Sequence, residues 1–321
     1  MKKRNESLDI SRAICMLWIV GIWHLQEYFI IKNPWNNPYT KCITVSALSM
    51  FTFLSGYFLS GKTKNMKDCI QFYQKRLLRF YPLFLVACLS LFGVSKVIGA
   101  TFFRDFQQLF LTLVGLSCLK KPYPGTVWYF AMLILFYFVT PFINRLERER
   151  EKVIVLVSLY FLLIISVCYG QTDTRVLIYF PIYMGGLFGK RFKVFLTETC
   201  SGIKALFSTL AWGISIIICV KYESPPYLQL VVAALAIAPL YYVGTFLKRW
   251  NNLRKLFLKL GYASMCAYLF HRQFYSVLKV LIGDFTFITA YLFAFPILLI
   301  ISYAIQKIYD AILIKMKSHR Y

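Results

Sequence analysis

Long apolar runs separated by short polar stretches, most of them basic, set out this chain. The first run extends from Ala13 to about Ile31 behind a polar lead-in, Ser7 to Arg12. A polar turn, Lys32 to Lys41, leads to a second run, about 42–60, which ends in F-L-S-G-Y-F-L-S-G-K. Its small residues Ser55, Gly56, Ser60 and Gly61 would let another backbone or a ligand come close. A basic segment, Lys62 to Arg79, precedes a third run from Phe80 to about Ile98. Further runs occupy about 126–143, 153–169, 175–189, 203–221, 227–247, 260–282 and 286–305. Their lengths suit helices crossing a hydrocarbon core about 30 Å thick.

One run, Phe106 to Leu119, is too short to span and has the length of a re-entrant or interfacial segment. Its placement decides the topology. If it crossed, the basic loops Arg145–Lys152, Lys190–Lys193 and Lys248–Lys259 would all fall outside. If it does not cross, they fall inside, with Lys2–Arg4 and the tail Lys315–Arg320. Positive charge marks the cytoplasmic side, so the second arrangement is expected. It predicts ten transmembrane helices, one short re-entrant or interfacial helix and two cytoplasmic termini.

Composition agrees with that plan. The 321 residues are 59% hydrophobic and only 16% charged, with a mean hydropathy of +0.60. A soluble domain of this size does not look like that; an all-α polytopic membrane bundle does. The excess of 37 Lys and Arg over 13 Asp and Glu sits in short clusters between apolar runs, the positive-inside pattern rather than a nucleic-acid surface. The first run is too long, and lacks the small-residue site, for a cleavable signal peptide. Nine cysteines without any C-x-x-C pair read as free packing residues, neither a disulfide framework nor a metal site. Little chain is left for a soluble domain, so residues 1–321 are expected to form a single transmembrane domain.

Few ionisable side chains fall inside the apolar runs, and those that do are functional candidates because burial of charge in lipid is costly. At about 1.5 Å per residue, His24 lies roughly 18 Å past Arg12, beyond mid-membrane. Glu27 follows at i+3 on a neighbouring part of the same face. His271 lies at a similar depth, roughly 15 Å into an outward-running span, with Arg272 beside it. A shared polar cavity would account for all four; the alternative is an interhelical histidine with an interfacial glutamate. His319, in the basic tail, is expected to be solvated.

The order of several short motifs resembles the membrane-bound acyltransferase family 3, which includes fucose 4-O-acetylase-like enzymes. The motifs are S-L-D-I-S-R-A (Ser7–Ala13) with His24, L-S-G-Y-F-L-S (Leu54–Ser60), K-R-L-L-R-F-Y-P (Lys75–Pro82), V-W-Y-F (Val127–Phe130) with Pro141, and A-Y-L-F-H (Ala267–His271). The likeness covers Ser7 to about Ile305 and has the form without an added soluble hydrolase-like domain. It implies a ten-helix bacterial O-acyltransferase of the cytoplasmic membrane, with acetyl-CoA as co-substrate, an extracytoplasmic or lipid-linked glycan as acceptor, lipid as surroundings, and neither metal nor nucleic acid.

Acyl transfer from a thioester to a hydroxyl needs a base, which a neutral histidine supplies near pH 7. His24 is the expected base, with Glu27 either orienting its ring or contacting sugar hydroxyls. No nucleophile motif flanks His24, so direct transfer is simpler than an acyl-enzyme, with acyl-histidine left open. Arg76 and Arg79, at i and i+3 with Tyr81 following, suit the phosphates of a cytosolic donor. The same basic cluster is also explained as a topology signal. Trp128 and Tyr129 are either interfacial anchors or an acceptor platform, and His271 and Arg272 line the cavity. A rival class is a transporter of a glycan precursor or small amphiphile; no pair of matching broken helices supports it.

In one place the chain departs from the resemblance. Relatives separate the arginine and histidine of the first helix by 10 residues, whereas here 11 lie between Arg12 and His24. At about 100° per residue a regular helix would set the two roughly 120° apart. A π-bulge between about Ile19 and Trp23, helped by Gly21, would restore a shared face.

Overall fold

The structure, a computed structural model, describes residues 5–30, 36–59, 65–99, 102–121, 123–125, 127–189 and 202–318. Several expectations lie outside them: the basic residues Lys2–Arg4 and Lys190–Lys193, the small residues Ser60 and Gly61, Lys32, Lys62, Lys64, and His319 with Arg320. The fold is all-α. Among the described residues no strand forms beyond one isolated parallel bridge, Phe29 to Phe285.

The helices are α1 (Glu6–Trp18), α2 (Pro38–Tyr57), α3 (Met66–Ile98), α4 (Phe106–Leu113), α5 (Trp128–Arg145), α6 (Glu149–Cys168), α7 (Thr174–Leu187), α8 (Gly202–Lys221), α9 (Pro226–Leu235), α10 (Ile237–Leu247), α11 (Asn251–Ile282) and α12 (Phe295–Ser318). Seven described segments are long and apolar enough to cross a membrane: Glu6–Tyr28, Met66–Ile98, Trp128–Arg145, Glu149–Cys168, Gly202–Lys221, Pro226–Leu247 and Thr289–Met316. The expected count of ten also included α2, α7 and α11, which do not qualify on length and apolarity alone. α7 has only 14 residues, α2 buries Thr44, Ser46, Ser49 and Thr52, and α11 buries His271, Arg272 and Gln273.

Five stretches differ from the sequence expectation. The polar lead-in Ser7–Arg12 is helical and largely buried. Ser11 returns its hydroxyl to the Ser7 carbonyl at 2.8 Å, and Arg12 pairs with Asp9 at 3.3 Å, so polarity here is satisfied rather than solvated. From Met66 the basic segment continues unbroken into α3, started by a reciprocal capping box between Asn65 and Asp68. The run 227–247 breaks between α9 and α10. Pro239 removes an N–H and its ring opposes the carbonyl of Leu235 four residues back. The last helix runs on to Ser318, well past 305. Phe106–Leu119 resolves into the eight-residue α4, capped by Asp105, and a 3-10 turn at Ser117–Leu119.

The chain divides into two compact units, one of Met1–Met50, Glu198–Val220 and Leu235–Tyr321, the other of Phe51–Thr197 and Lys221–Ala234. In the first, α1 is clasped by two neighbours at glycines. Gly261 of α11 lies under the Asp9 carbonyl, and Gly244 of α10 under Ser7 and Ser11. Ser11 also donates to the Leu240 carbonyl at 2.8 Å. Helix α11 runs parallel to α1, since Glu6 meets Arg254, Arg12 meets Gly261 and Tyr28 meets Ser276. Helix α12 runs antiparallel to α11, joined through Tyr262–Asp310 and Cys266–Gln306.

In the second unit α2 and α7 touch backbone to backbone. A methyl group on Gly56 would collide with the Tyr183 carbonyl, and one on Gly186 with the Phe53 carbonyl. This is the close approach that Gly56 led one to expect.

Candidate active site

Regular α-helical bonding in the first span stops at Trp18. Ile19–Trp23 is a π-helical turn, closed by His24 N–H donating to the Ile19 carbonyl at 2.9 Å. The expected bulge is present, with Gly21 inside it. A 3-10 turn, Leu25–Tyr28, follows directly. The helix therefore unwinds and then tightens on either side of His24.

This irregular stretch sets His24 against α11. The imidazoles of His24 and His271 stack with centroids 4.7 Å apart and planes within 4°. Arg12 donates to the Gly261 carbonyl at 2.6 Å. Arg12 and His24 thus both address α11, as a restored shared face requires.

His271 is fully buried. Its Nδ1 lies 2.7 Å from the Tyr268 carbonyl. A carbonyl only accepts, so Nδ1 carries the hydrogen and the neutral ring keeps its lone pair at Nε2. That Nε2 is buried without a hydrogen-bond partner, and so is Nδ1 of the half-buried His24. Buried ring nitrogens left unsatisfied are uncommon in native structures and point to a reacting or liganding role.

Glu27 does not orient His24. Both of its carboxylate oxygens are taken by the guanidinium of Arg272, Nη2 donating to Oε1 at 2.7 Å and Nη1 to Oε2. The pair is asymmetric: the Arg272 side chain is 8% exposed and that of Glu27 50%. The carboxylate is fixed on its inner side and open on its outer side, with lone pairs to spare for incoming hydroxyls. Tyr28 adds a further tie, its hydroxyl 3.1 Å from Ser276 and 3.3 Å from the Arg272 carbonyl.

Aromatic residues that sequence reasoning passed over enclose the stack. Tyr268 and Tyr275 lie 5.7 and 6.2 Å from His271, centroid to centroid. They stand at i−3 and i+4 from it, one helical stripe, which was the available signal. Tyr275 also donates to the Val20 carbonyl at 3.4 Å, inside the span disturbed by the π turn.

The remaining candidates belong to the second unit. Arg76 is half-buried and reaches the Phe58 carbonyl at 3.4 Å, whereas Arg79 is exposed. Tyr81 donates to the Leu113 carbonyl at 3.2 Å. Trp128 and Tyr129 are buried within the protein, 7% and 3% exposed. The Arg175 guanidinium covers the Trp128 ring at 4.0 Å, and the Tyr129 hydroxyl meets Thr52 at 3.2 Å. Both rings are thus packed among protein side chains.

No curated protein and no solved structure matches the chain. The family model of an acyltransferase domain matches residues 5–307. That span takes in the stacked histidines, the Glu27–Arg272 pair and the arginines of α3, and the chain therefore belongs to the membrane-bound acyltransferase family 3.

Proposed function

We propose that the protein is an O-acetyltransferase that moves an acetyl group from cytosolic acetyl-CoA to a hydroxyl of an extracytoplasmic or lipid-linked glycan, with His24 as general base. The observation that carries this reading is the stack of His24 on His271, with a buried, unpartnered nitrogen on each ring. A base needs a lone pair free of protein partners and a ring held still. The stack supplies the second requirement and the orphaned nitrogens the first.

In this reading His24 takes the proton of the acceptor hydroxyl as its oxygen attacks the thioester carbonyl carbon. The carbon–sulfur bond breaks and the proton ends on the CoA thiolate. Glu27, fixed by Arg272 and open on its outer side, holds neighbouring hydroxyls of the sugar. Arg76 and Arg79 contact the donor phosphates from the cytoplasmic side, as charge asymmetry orients α3. The setting is a multi-pass protein of a bacterial cytoplasmic membrane with both termini inside.

Glycan mass spectrometry with and without the gene tests the assignment. An acetyl increment lost with the gene, and not restored by a His24→Ala copy, supports it. An unchanged glycan whose export alone is altered overturns it in favour of transport.

A further inference from the structure

The structure holds a second π-helical turn, Thr289–Ala294, at the head of α12. Phe295 follows it directly and lies over Gly21, the glycine of the first π turn. A methyl group at position 21 would stand 2.5 Å from Phe295 Cζ and under 3 Å from both Cε atoms. Real Cβ atoms are not found that close to a neighbour, so a side chain at position 21 would force the ring to move. In the same turn, the Val20 carbonyl accepts from Tyr275. Tyr275 itself stands edge-on to His271 at 6.2 Å.

From this juxtaposition we propose that Phe295 and Tyr275 are positioning residues for His24: the phenyl ring seated on Gly21 and the phenol tied to Val20 hold the π turn open and so set the rotation and depth of the imidazole. The geometry argues for it in three steps. A π turn leaves backbone groups without their regular i−4 partners, and it persists only where its surroundings over-determine it. Here a ring packs against Gly21 and a phenol is tied to the neighbouring Val20 carbonyl. His24 closes the turn through its own N–H to Ile19, so any relaxation of the turn swings its ring off His271.

The inference rests on His24 being the base, and two readouts keep the two ideas apart. Purified protein labelled at its three histidines reports the stack through ring-current-shifted imidazole signals, whether or not transfer occurs. Transfer from acetyl-CoA is followed in parallel, as kcat and KM for the donor. Gly21→Ala is expected to lower kcat by roughly 10-fold or more with little change in donor KM, the mark of a misplaced reacting group. It should also abolish the shifted signals. Adding Phe295→Leu to Gly21→Ala makes room for the new methyl group while the space over position 21 stays filled, and should restore part of both, which a general loss of stability would not allow. Phe295→Leu and Tyr275→Phe loosen the same turn without added bulk and serve where Gly21→Ala does not fold; each should weaken the shifted signals and lower kcat.

Shifted signals unchanged in Gly21→Ala, Phe295→Leu and Tyr275→Phe would overturn the positioning role, as would failure of Phe295→Leu to recover any part of the loss in Gly21→Ala. Signals that respond as expected in a protein without transfer activity would support the positioning role while removing His24 from the chemistry.

Discussion

His24 and His271 come from opposite ends of the chain and meet as parallel rings with centroids 4.7 Å apart. The meeting follows from helices that run parallel. Helix α1 and its continuation lie alongside α11 in step, from Glu6 with Arg254 to Tyr28 with Ser276, so residues at equal depth face each other.

The first prediction concerns the base. His24→Ala should reduce transfer by roughly 100-fold or more, the scale of general-base catalysis, while the protein still inserts and purifies. Product formation from labelled acetyl-CoA, normalised to folded protein, measures it. Near-normal turnover would move the base to His271, whose Nε2 is also buried and unpartnered.

The Glu27–Arg272 pair gives the second. Removing either partner strands a charge, and Arg272, only 8% exposed, is the costlier one to strand. Glu27→Gln, which strands the buried guanidinium, should therefore lower the detergent melting temperature more than Arg272→Met does. A double-mutant cycle should show coupling of about 1–2 kcal/mol, discounted from the range for buried pairs because Glu27 is half exposed. Both single variants should raise KM for the acceptor. Independent, additive effects would mean the two-pronged contact carries no energy.

Some of this was legible in the sequence and some was not. Depth counts placed His24 and His271 at one level, and the spacing from Arg12 called for the π turn that occurs. Both inferences use only rise and rotation along one helix. Which helix faces which was not available that way, so the Arg272 guanidinium that holds the Glu27 carboxylate was not foreseen. Trp128 and Tyr129 show the same limit: an aromatic pair at a span boundary reads alike whether a membrane interface or Arg175 covers it. The polar lead-in misled differently. Ser7, Asp9 and Ser11 look solvated until α10 and α11 are in place to bury them.

Donor recognition is tested on α3. Arg76→Ala and Arg79→Ala should raise the KM for acetyl-CoA more than they lower kcat, since phosphate contacts remote from the thioester bind ground and transition states alike. Lysine at either position should recover the loss only partly, because it lacks the planar fork. A change confined to acceptor dependence would remove both arginines from the donor site.

The glycines of α7 make a sharp stability comparison. Gly186→Ala drives a methyl group into the Phe53 carbonyl, and Gly56→Ala drives one into Tyr183. Backbone cannot yield as a side-chain tip does, so each should destabilise by about 1–3 kcal/mol. Gly185, the immediate neighbour, has nothing within 4 Å of its added Cβ. Gly185→Ala should be neutral or stabilising by up to about 1 kcal/mol, since alanine favours helix. Thermal melts in one detergent decide it. Equal behaviour of positions 185 and 186 would refute the close backbone contact between α2 and α7.

The last prediction alters the length of the π turn itself. If Ile19–Trp23 accommodates one residue more than a regular helix would, removing Ile22 should let the turn close as α-helix. The downstream phase is then that of 10 residues between the arginine and the histidine, roughly 20° from alignment. The imidazole stays on the side facing α11 and substantial activity should survive, although a deletion inside a transmembrane helix usually rotates everything beyond it. Inserting an alanine after Trp18 has no such refuge, because the turn already holds its extra residue. It should rotate His24 by roughly 100° and raise it by about 1.5 Å, which breaks the stack. Paired transfer assays and histidine spectra of the two variants read out the contrast. Loss of activity in the deletion together with retention in the insertion would show that the π turn does not set the phase of His24.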